Sequence, residues 1–434
     1  MDIRDPRTKK LQQLKKTLKR LSAQVATLCG NEGAGPNQQS LLAMQQIFGA
    51  EHYYREQGFI LDHADGCYVW DMAGKKYLDC IALYSAIASG HGNIELIGAM
   101  LHQLFRMTGA PNRFVNDMQP QLLQRIAALT HQDGVLLMNT GAEAIDTAVK
   151  AVRRWAYQVK GVPADKAEII SARGNFHGRT LNATALSGTA KYQKDFGPFS
   201  EGYIKVPYGD IEALRQAITP HTAAFIVEPI QGEGGIILPP FGYLPAVRKL
   251  CTERNVLLIY DEIQTGLGRT GLLFGGDWGG EKPDGVTLGK ALGQYVPVSA
   301  FAARQDVIDT FTPGSHGSTF GGTALSCAVA LKSLELITRD ERALVRNSMS
   351  QGIYFRDQLR ALQSPAIKEV RGHGLFIGIE IDHKVTTPDA VCEKLFANGI
   401  LAGVAQQTVR FTPPLVITQA EIDGALPAIA NALC

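Results

Sequence analysis

Asp261 and Lys290 are the two residues whose surroundings ask most clearly for a chemical partner. Asp261 follows the wholly apolar run Val256–Tyr260, and Lys290 follows the short run Gly285–Leu288, held between the small residues Gly289 and Ala291. A carboxylate at the end of a buried strand is costly unless something pairs with it. An internal arginine or a protonated heterocycle would serve. A lysine desolvated at such a position moves toward the nucleophilic range. The ordinary alternative is a surface lysine reaching for solvent, but only Lys282 and Lys290 lie between positions 250 and 331. Other strand ends also carry polar groups. Thr140-Gly141-Ala142-Glu143 follows the run Gly134–Asn139 and opens a helical pattern, and a helix N-terminus with free N–H groups suits an anion. Asn175-Phe176-His177-Gly178-Arg179 follows Glu168–Ala172, where an aromatic ring packs in a core more often than it forms a cofactor platform. Glu228, with the Gly-rich stretch through Glu233 to Gly235, follows Ala223–Val227.

The elements that would position these residues are short apolar runs alternating with helical patterns. Besides the runs above, Val298–Ala303 has the same texture, and near-continuous apolar runs of this length fit strands buried on both faces of a parallel sheet. Stretches 141–158, 209–218 and 243–254 read as the covering helices. Upstream, 59–61, 67–70 and 76–81 read as short strands separated by turns at Asp65-Gly66 and Ala73-Gly74. The tail is mixed, with a helix around 340–362, a strand over Leu375–Ile381, and helices at 388–398 and 419–433. The expected organisation is a large α/β domain over 96–334, a smaller α+β domain built from 45–95 and 335–434, and an N-terminal arm with linker over 1–44. In open α/β sheets a ligand sits outside the carboxyl ends of the strands, where the residues named above would gather.

Composition excludes several classes. With 45% hydrophobic residues over 434 positions, and with Gly at 45 and Pro at 20, the chain is neither collagen-like nor disordered. No run approaches the roughly 18 apolar residues of a spanning helix, so no membrane association is expected. The seven cysteines are scattered without a CxxC, which points to a reducing, cytoplasmic setting. They do not cluster with histidine at zinc spacings, there is no HExxH and no GxxxxGK[ST], and no metal is expected. Gly266-Leu267-Gly268-Arg269-Thr270-Gly271 matches GxGxxG, but no helical pattern follows and no acid stands about 20 residues on, so it reads as a chance match. Charge is uneven. Residues 1–20 hold eight bases and two acids, and Leu11, Leu14, Leu18, Leu21, Val25 and Leu28 fall at alternating spacings of three and four. That pattern is an amphipathic helix docked on its own body or on a twin subunit. A nucleic-acid or membrane-surface arm and a cleaved targeting peptide are the lesser readings; Asp2 and Asp5 stand where targeting peptides avoid acids.

Taken in order, Thr140-Gly141-Ala142, Phe176-His177-Gly178-Arg179-Thr180, Asp261-Glu262-Ile263-Gln264-Thr265-Gly266, Gly289-Lys290 and Ser318-Thr319-Phe320-Gly321-Gly322 resemble the class III pyridoxal-phosphate-dependent aminotransferases over about residues 45–434. The resemblance implies the fold-type I architecture, a homodimer with active sites at the subunit interface, and pyridoxal 5'-phosphate as cofactor. It implies that Lys290 carries the cofactor covalently and then shuttles a proton, and that Asp261 pairs with the pyridine N–H. Gln264 would bond the phenolic oxygen and Phe176 would stack on the ring. Gly141, Ala142 and the partner subunit's Thr319 would hold the phosphate.

Within that family the chain is most similar to the ornithine δ-aminotransferase group. Leu83-Tyr84-Ser85-Ala86 keeps one tyrosine of that group and Tyr54 aligns with a second. Val409-Arg410-Phe411 keeps an arginine that binds the α-carboxylate of 2-oxoglutarate. The likeness implies that Tyr54 and Tyr84 receive the amino-acid end of ornithine, that Arg179 belongs to the substrate site, and that Glu233 masks Arg410 until the oxo acid arrives. The implied reaction is transfer of the δ-amino group of L-ornithine to 2-oxoglutarate, yielding glutamate semialdehyde, which cyclises to pyrroline-5-carboxylate. Departures at His52–Gln57, Gly90–Asn93 and Ala291–Pro297 leave other donors open: diaminobutyrate, lysine, N-acetylornithine or 4-aminobutyrate. A different reaction on the same scaffold is also open. Whether His177 packs or touches substrate is not fixed by the sequence.

Overall fold

The computed structural model describes residues 6–28, 37–50, 52 and 58–434. Its centre is a seven-stranded sheet with the spatial order Gly134–Met138, Ser299–Ala303, Gly285–Leu288, Leu257–Asp261, Thr222–Val227, Glu168–Ala172 and Tyr203–Val206. Ser299–Ala303 is antiparallel to both its neighbours and the remaining pairs are parallel, so six strands place their carboxyl ends on one edge. The continuity of the apolar runs has a direct cause. Ala224, Ile226, Leu257 and Ile259 pack under the helix Gly141–Trp155 through Ile145, Val149 and Val152. Their alternates Phe225, Val227, Leu258 and Tyr260 face Leu244, Val247 and Leu250 of the helix Tyr243–Glu253. Both faces are covered, so period-two alternation disappears from the sequence.

Two smaller sheets flank this one. Leu61–Asp65, Tyr68–Asp71 and Lys76–Asp79 form an antiparallel meander joined by Ile400–Leu401. The first strand is Leu61–Asp65 rather than 59–61: pairing with Tyr68–Asp71 runs up to the turn at Gly66 (φ 59°) and Cys67. Ile367–His373, Phe376–Ile381, Thr408–Phe411 and Gly403–Ala405 form the other sheet, with its strands antiparallel. The helix expected around 340–362 belongs to a longer element, Ala324–Ala361, interrupted by non-helical backbone at Arg339–Arg342. Residues 266–271 lie in turns with no helix after them, apart from a short 3-10 turn at Gly275–Gly279.

The N-terminal arm is a helix over Pro6–Leu28, lying against the helix Ile94–Arg106. Its apolar seam is split. Leu11 and Leu18 are half-buried and Lys15 Nζ bonds Asp65 Oδ1 at 2.5 Å, whereas Leu14, Leu21, Val25 and Leu28 are exposed. No helix among the described residues is long and apolar enough to cross a membrane.

Candidate active site

Asp261 ends its strand fully buried, and three groups hold its carboxylate. Ile263 N–H and Thr287 Oγ1 donate to Oδ1, both at 3.1 Å, and His177 Nδ1 lies 2.7 Å from Oδ2. None of these is an arginine. His177, whose role the sequence left open, is therefore a direct partner of Asp261. It is itself fixed by its N–H bond to Ser187 and by Asn175, which Gln231 holds in turn. Lys290 starts a single 3-10 turn directly after Gly289, in a left-handed conformation (φ 43°). Burial pushes its amine below the ordinary range. Glu233, Asp261 and Glu228 pull it back up, and Arg410 pushes it down again, so all four side chains lie within electrostatic reach of this amine.

Glu228 is a carboxyl group at a strand end held by backbone donors. Its oxygens accept from Phe176 N–H at 2.8 Å and Gly232 N–H at 3.1 Å. Burial, with Asp261 adding to the effect, still pushes its pKa up to about 8. The carboxyl thus ties two loops that border the site, those of Phe176 and Glu233.

The helix Gly141–Trp155 presents its N-terminus beside this centre. Thr140 and Glu143 form a capping box, and the Glu143 carboxylate accepts from the N–H groups of Asn139 and Thr140. The N–H groups of Gly141 and Ala142 have no intrahelical acceptor by helix geometry and remain for an anion. A Cβ on Gly141 would meet Ile263 at 3.0 Å, and Gly141 Cα lies in van der Waals range of a Cβ built on Gly289, so the helix end abuts both the Asp261 and Lys290 segments.

A second cluster includes two charges within electrostatic reach of the lysine. Arg410, buried on Thr408–Phe411, donates to both oxygens of Glu233, from Nη1 at 2.6 Å and Nη2 at 3.2 Å. Glu233 stands on a loop and Arg410 on a strand of the C-terminal sheet, and the pair is bidentate. Arg179 is exposed and lies over the rings of Phe176 (5.2 Å) and Tyr192 (3.9 Å), which meet edge to face. Tyr192 was not picked out from the sequence. Burial and Glu233 push its hydroxyl up while Arg179 and Arg410 pull it down, which places it among these charges. Its only sequence signal is an aromatic ring in an otherwise polar stretch.

Tyr84 is brought to the same region by unusual backbone. Ala82, Leu83, Tyr84 and Ser85 all have left-handed φ, from 48° to 78°, at a cost of roughly 1–2 kcal/mol per residue. Asp79 offsets it by accepting from Ile81 and Ala82 N–H at 2.9 and 2.8 Å, and His91 Nε2 lies 2.8 Å from its other oxygen. Thr412 adds bonds to the carbonyls of Cys80 and Ile81. Gln264, buried, donates to Tyr84 O at 3.4 Å. Thr319 is not brought to the cluster within this chain: it is exposed on the turn after Ser318, whose Oγ accepts from Asn139. Tyr54 lies outside the described residues.

Comparison with known proteins agrees with this geometry. The family described as Aminotransferase class-III matches residues 50–433. The chain is 50% identical over 396 residues to an ornithine aminotransferase of Oceanobacillus iheyensis, covering 91% of this chain and 98% of that one. Among solved structures it is similar to an ornithine aminotransferase of Toxoplasma gondii with partial occupancy of PLP at the active site (TM-score 0.88, 40% identity, 92% of this chain and 94% of that one). It is also similar to an acetylornithine aminotransferase of Elizabethkingia anophelis (TM-score 0.81, 35% identity, 92% and 99%). The chain belongs to the class-III aminotransferases, with the fold-type I architecture, and is a pyridoxal-phosphate-dependent transaminase.

Proposed function

We propose that the enzyme transfers the δ-amino group of L-ornithine to 2-oxoglutarate. The observation that carries this reading is the closed, bidentate Glu233–Arg410 pair within electrostatic reach of Lys290. An open arginine beside the lysine would seize the α-carboxylate of ornithine and present the wrong amine. A masked one leaves the distal amine to reach Lys290, and becomes the anchor for the α-carboxylate of the oxo acid when Glu233 swings aside.

The residues present fit pyridoxal 5'-phosphate: a buried acceptor, an amine held below its ordinary range, and an anion-ready helix end meet at one point. When bound, the cofactor supplies an electrophilic aldehyde and a ring able to take up the electron pair of a substrate C–H bond. Lys290 would hold it covalently and then move the proton from the substrate carbon through Nζ. Asp261, oriented by His177 and Thr287, would pair with the ring nitrogen. Gln264 would serve the phenolic oxygen, Phe176 the ring face, and Gly141, Ala142 and a partner subunit's Thr319 the phosphate. Tyr54 and Tyr84 would receive the amino-acid end of ornithine, with Arg179 at the mouth of the substrate site. The reading includes a homodimer, and the division of the chain into an arm (1–44), a small domain (45–95 with 335–434) and a large domain (96–334). It also includes a cytoplasmic setting, supported by the free cysteines, four of them buried, among the described residues.

Mixing the yellow enzyme with L-ornithine alone tests the first half. The expected result is loss of the visible cofactor band, followed by pyrroline-5-carboxylate formation when 2-oxoglutarate is added. The likeness to an acetylornithine aminotransferase favours N-acetylornithine as the rival donor. Loss of the band with that amine but not with ornithine would keep the chemistry and overturn the donor.

A further inference from the structure

Arg371 lies on Ile367–His373, is 8% exposed, and has every guanidinium nitrogen engaged. Nε donates to the carbonyls of Gly235 and Ile236, both at 3.1 Å. Nη2 donates to Gly235 O at 2.8 Å and to Thr408 Oγ1 at 2.9 Å. Nη1 bonds Glu369 at 2.8 Å and also Glu380. Two of the acceptors, the carbonyls of Gly235 and Ile236, belong to the loop that carries Glu233.

That loop needs holding. Gln231 and Ile237 close its base with reciprocal backbone bonds at 3.0 and 2.9 Å, but its return turn passes through left-handed backbone, Gly235 at φ 109° and Ile236 at φ 55°. A β-branched residue with positive φ is a true outlier and persists only where its surroundings hold it. Arg371 bonds the carbonyls of these same two residues. Close packing reinforces the contact: a Cβ on Gly235 would meet Thr408 Oγ1 at 2.8 Å, and Ile236 is fully buried. Thr408 begins the strand on which Arg410 stands. The guanidinium therefore joins the carrier of Glu233 to the sheet that carries Arg410.

We propose that Arg371 is the positioning residue of the Glu233–Arg410 gate, clamping the Gly235–Ile236 turn to the C-terminal sheet so that Glu233 meets Arg410 with both oxygens. The inference rests on the gate reading given above and extends it. With the loop clamped, the gate opens by rotation of the Glu233 side chain alone and closes without re-forming a loop. With the clamp loosened, Arg410 stands unmasked for more of the time. Amino acids that use Arg410, such as glutamate, then gain relative to ornithine.

The test compares single-turnover half-reactions of the holoenzyme, following loss of the visible band with L-glutamate and with L-ornithine. Glu233→Ala should raise the glutamate-to-ornithine ratio of second-order rate constants by about tenfold, Arg371→Lys by about fivefold and Thr408→Val by about twofold. A ratio unchanged in Arg371→Lys, or both half-reactions slowed alike, while Glu233→Ala shifts it, overturns the clamp and leaves the gate standing. A ratio unchanged in Glu233→Ala removes the gate itself, and the clamp with it. If Arg371→Lys fails to accumulate as folded holoenzyme, Thr408→Val decides, and an unchanged ratio there overturns the proposal.

Discussion

The two halves of the site are built differently. The half around Asp261 and Lys290 stands on consecutive strand ends of one sheet, each backed by packing on both faces. The half around Glu233, Arg410 and Tyr84 is assembled from a loop, a strand of the C-terminal sheet and a short left-handed turn, and is held by strained backbone at Ala82–Ser85 and Ile236. A group that must not move is placed on strand ends, where neighbouring strands determine its position several times over. A group that must choose between substrates sits where a few hydrogen bonds hold an otherwise unfavourable conformation. The reaction depends on the first arrangement, and the choice of substrate on the second.

Four substitutions would break or sharpen that contrast. Lys290→Ala should abolish turnover, by at least about 10³-fold, with the far-UV circular dichroism unchanged; measurable steady-state transamination would contradict the role given to Nζ. Arg410→Met should raise KM for 2-oxoglutarate by about 100-fold while the ornithine half-reaction changes little. Equal losses in both half-reactions would show that the two halves of the site are not separable. Tyr84→Ile should shift donor preference about tenfold toward simple ω-amino acids such as 4-aminobutyrate, read as a ratio of kcat/KM values; an unchanged ratio would remove Tyr84 from the donor site.

The smallest effect concerns pH. Glu262, buried behind Asp261, accepts from the N–H groups of Gly275 and Gly276 and from Thr265, yet burial pushes it up to about 7. A carboxyl raised above its unfolded value binds its proton more tightly in the native state. Its contribution to stability is fully present below pH ~4.5 and is lost as pH rises through about 7. Glu262→Gln should be less stable throughout, because one backbone N–H loses its acceptor, but the thermal midpoint should fall less steeply between pH 5 and 8 than in the wild type. Parallel curves would show that Glu262 does not titrate in that window.

Much of the first half was legible in the sequence, and the reason is local. A strand buried on both faces reads as an unbroken apolar run, and the polar residue that ends it stands out. Asp261, Lys290 and Glu228 were all visible in this way. Their partners were not: an internal arginine was one expectation for Asp261, and a histidine, a threonine hydroxyl and a backbone N–H hold it instead. The edge strand Tyr203–Val206, with Lys205 in its middle, carries no such run and went unread, as did Thr408–Phe411. Arg371 had no local signature at all. An arginine between Val370 and Gly372 looks like any strand residue until the fold brings Gly235 and Thr408 to it. Glu233 and Arg410 were paired only through the family resemblance, since nothing in their own neighbourhoods shows that residues so far apart meet.

The Thr412 bonds to the Cys80 and Ile81 carbonyls give the site an order of completion. During synthesis, when folding proceeds from the N-terminal side, the segments of Asp261 and Lys290 emerge early. Arg410 emerges 120 residues after Lys290, and Thr412, which steadies the turn leading to Tyr84, just behind it. The growing chain therefore holds its reactive lysine long before the arginine that pairs with Glu233 and the threonine that steadies the turn of Tyr84. Discrimination is the last property the polypeptide acquires, and loss of the final few dozen residues would remove it first.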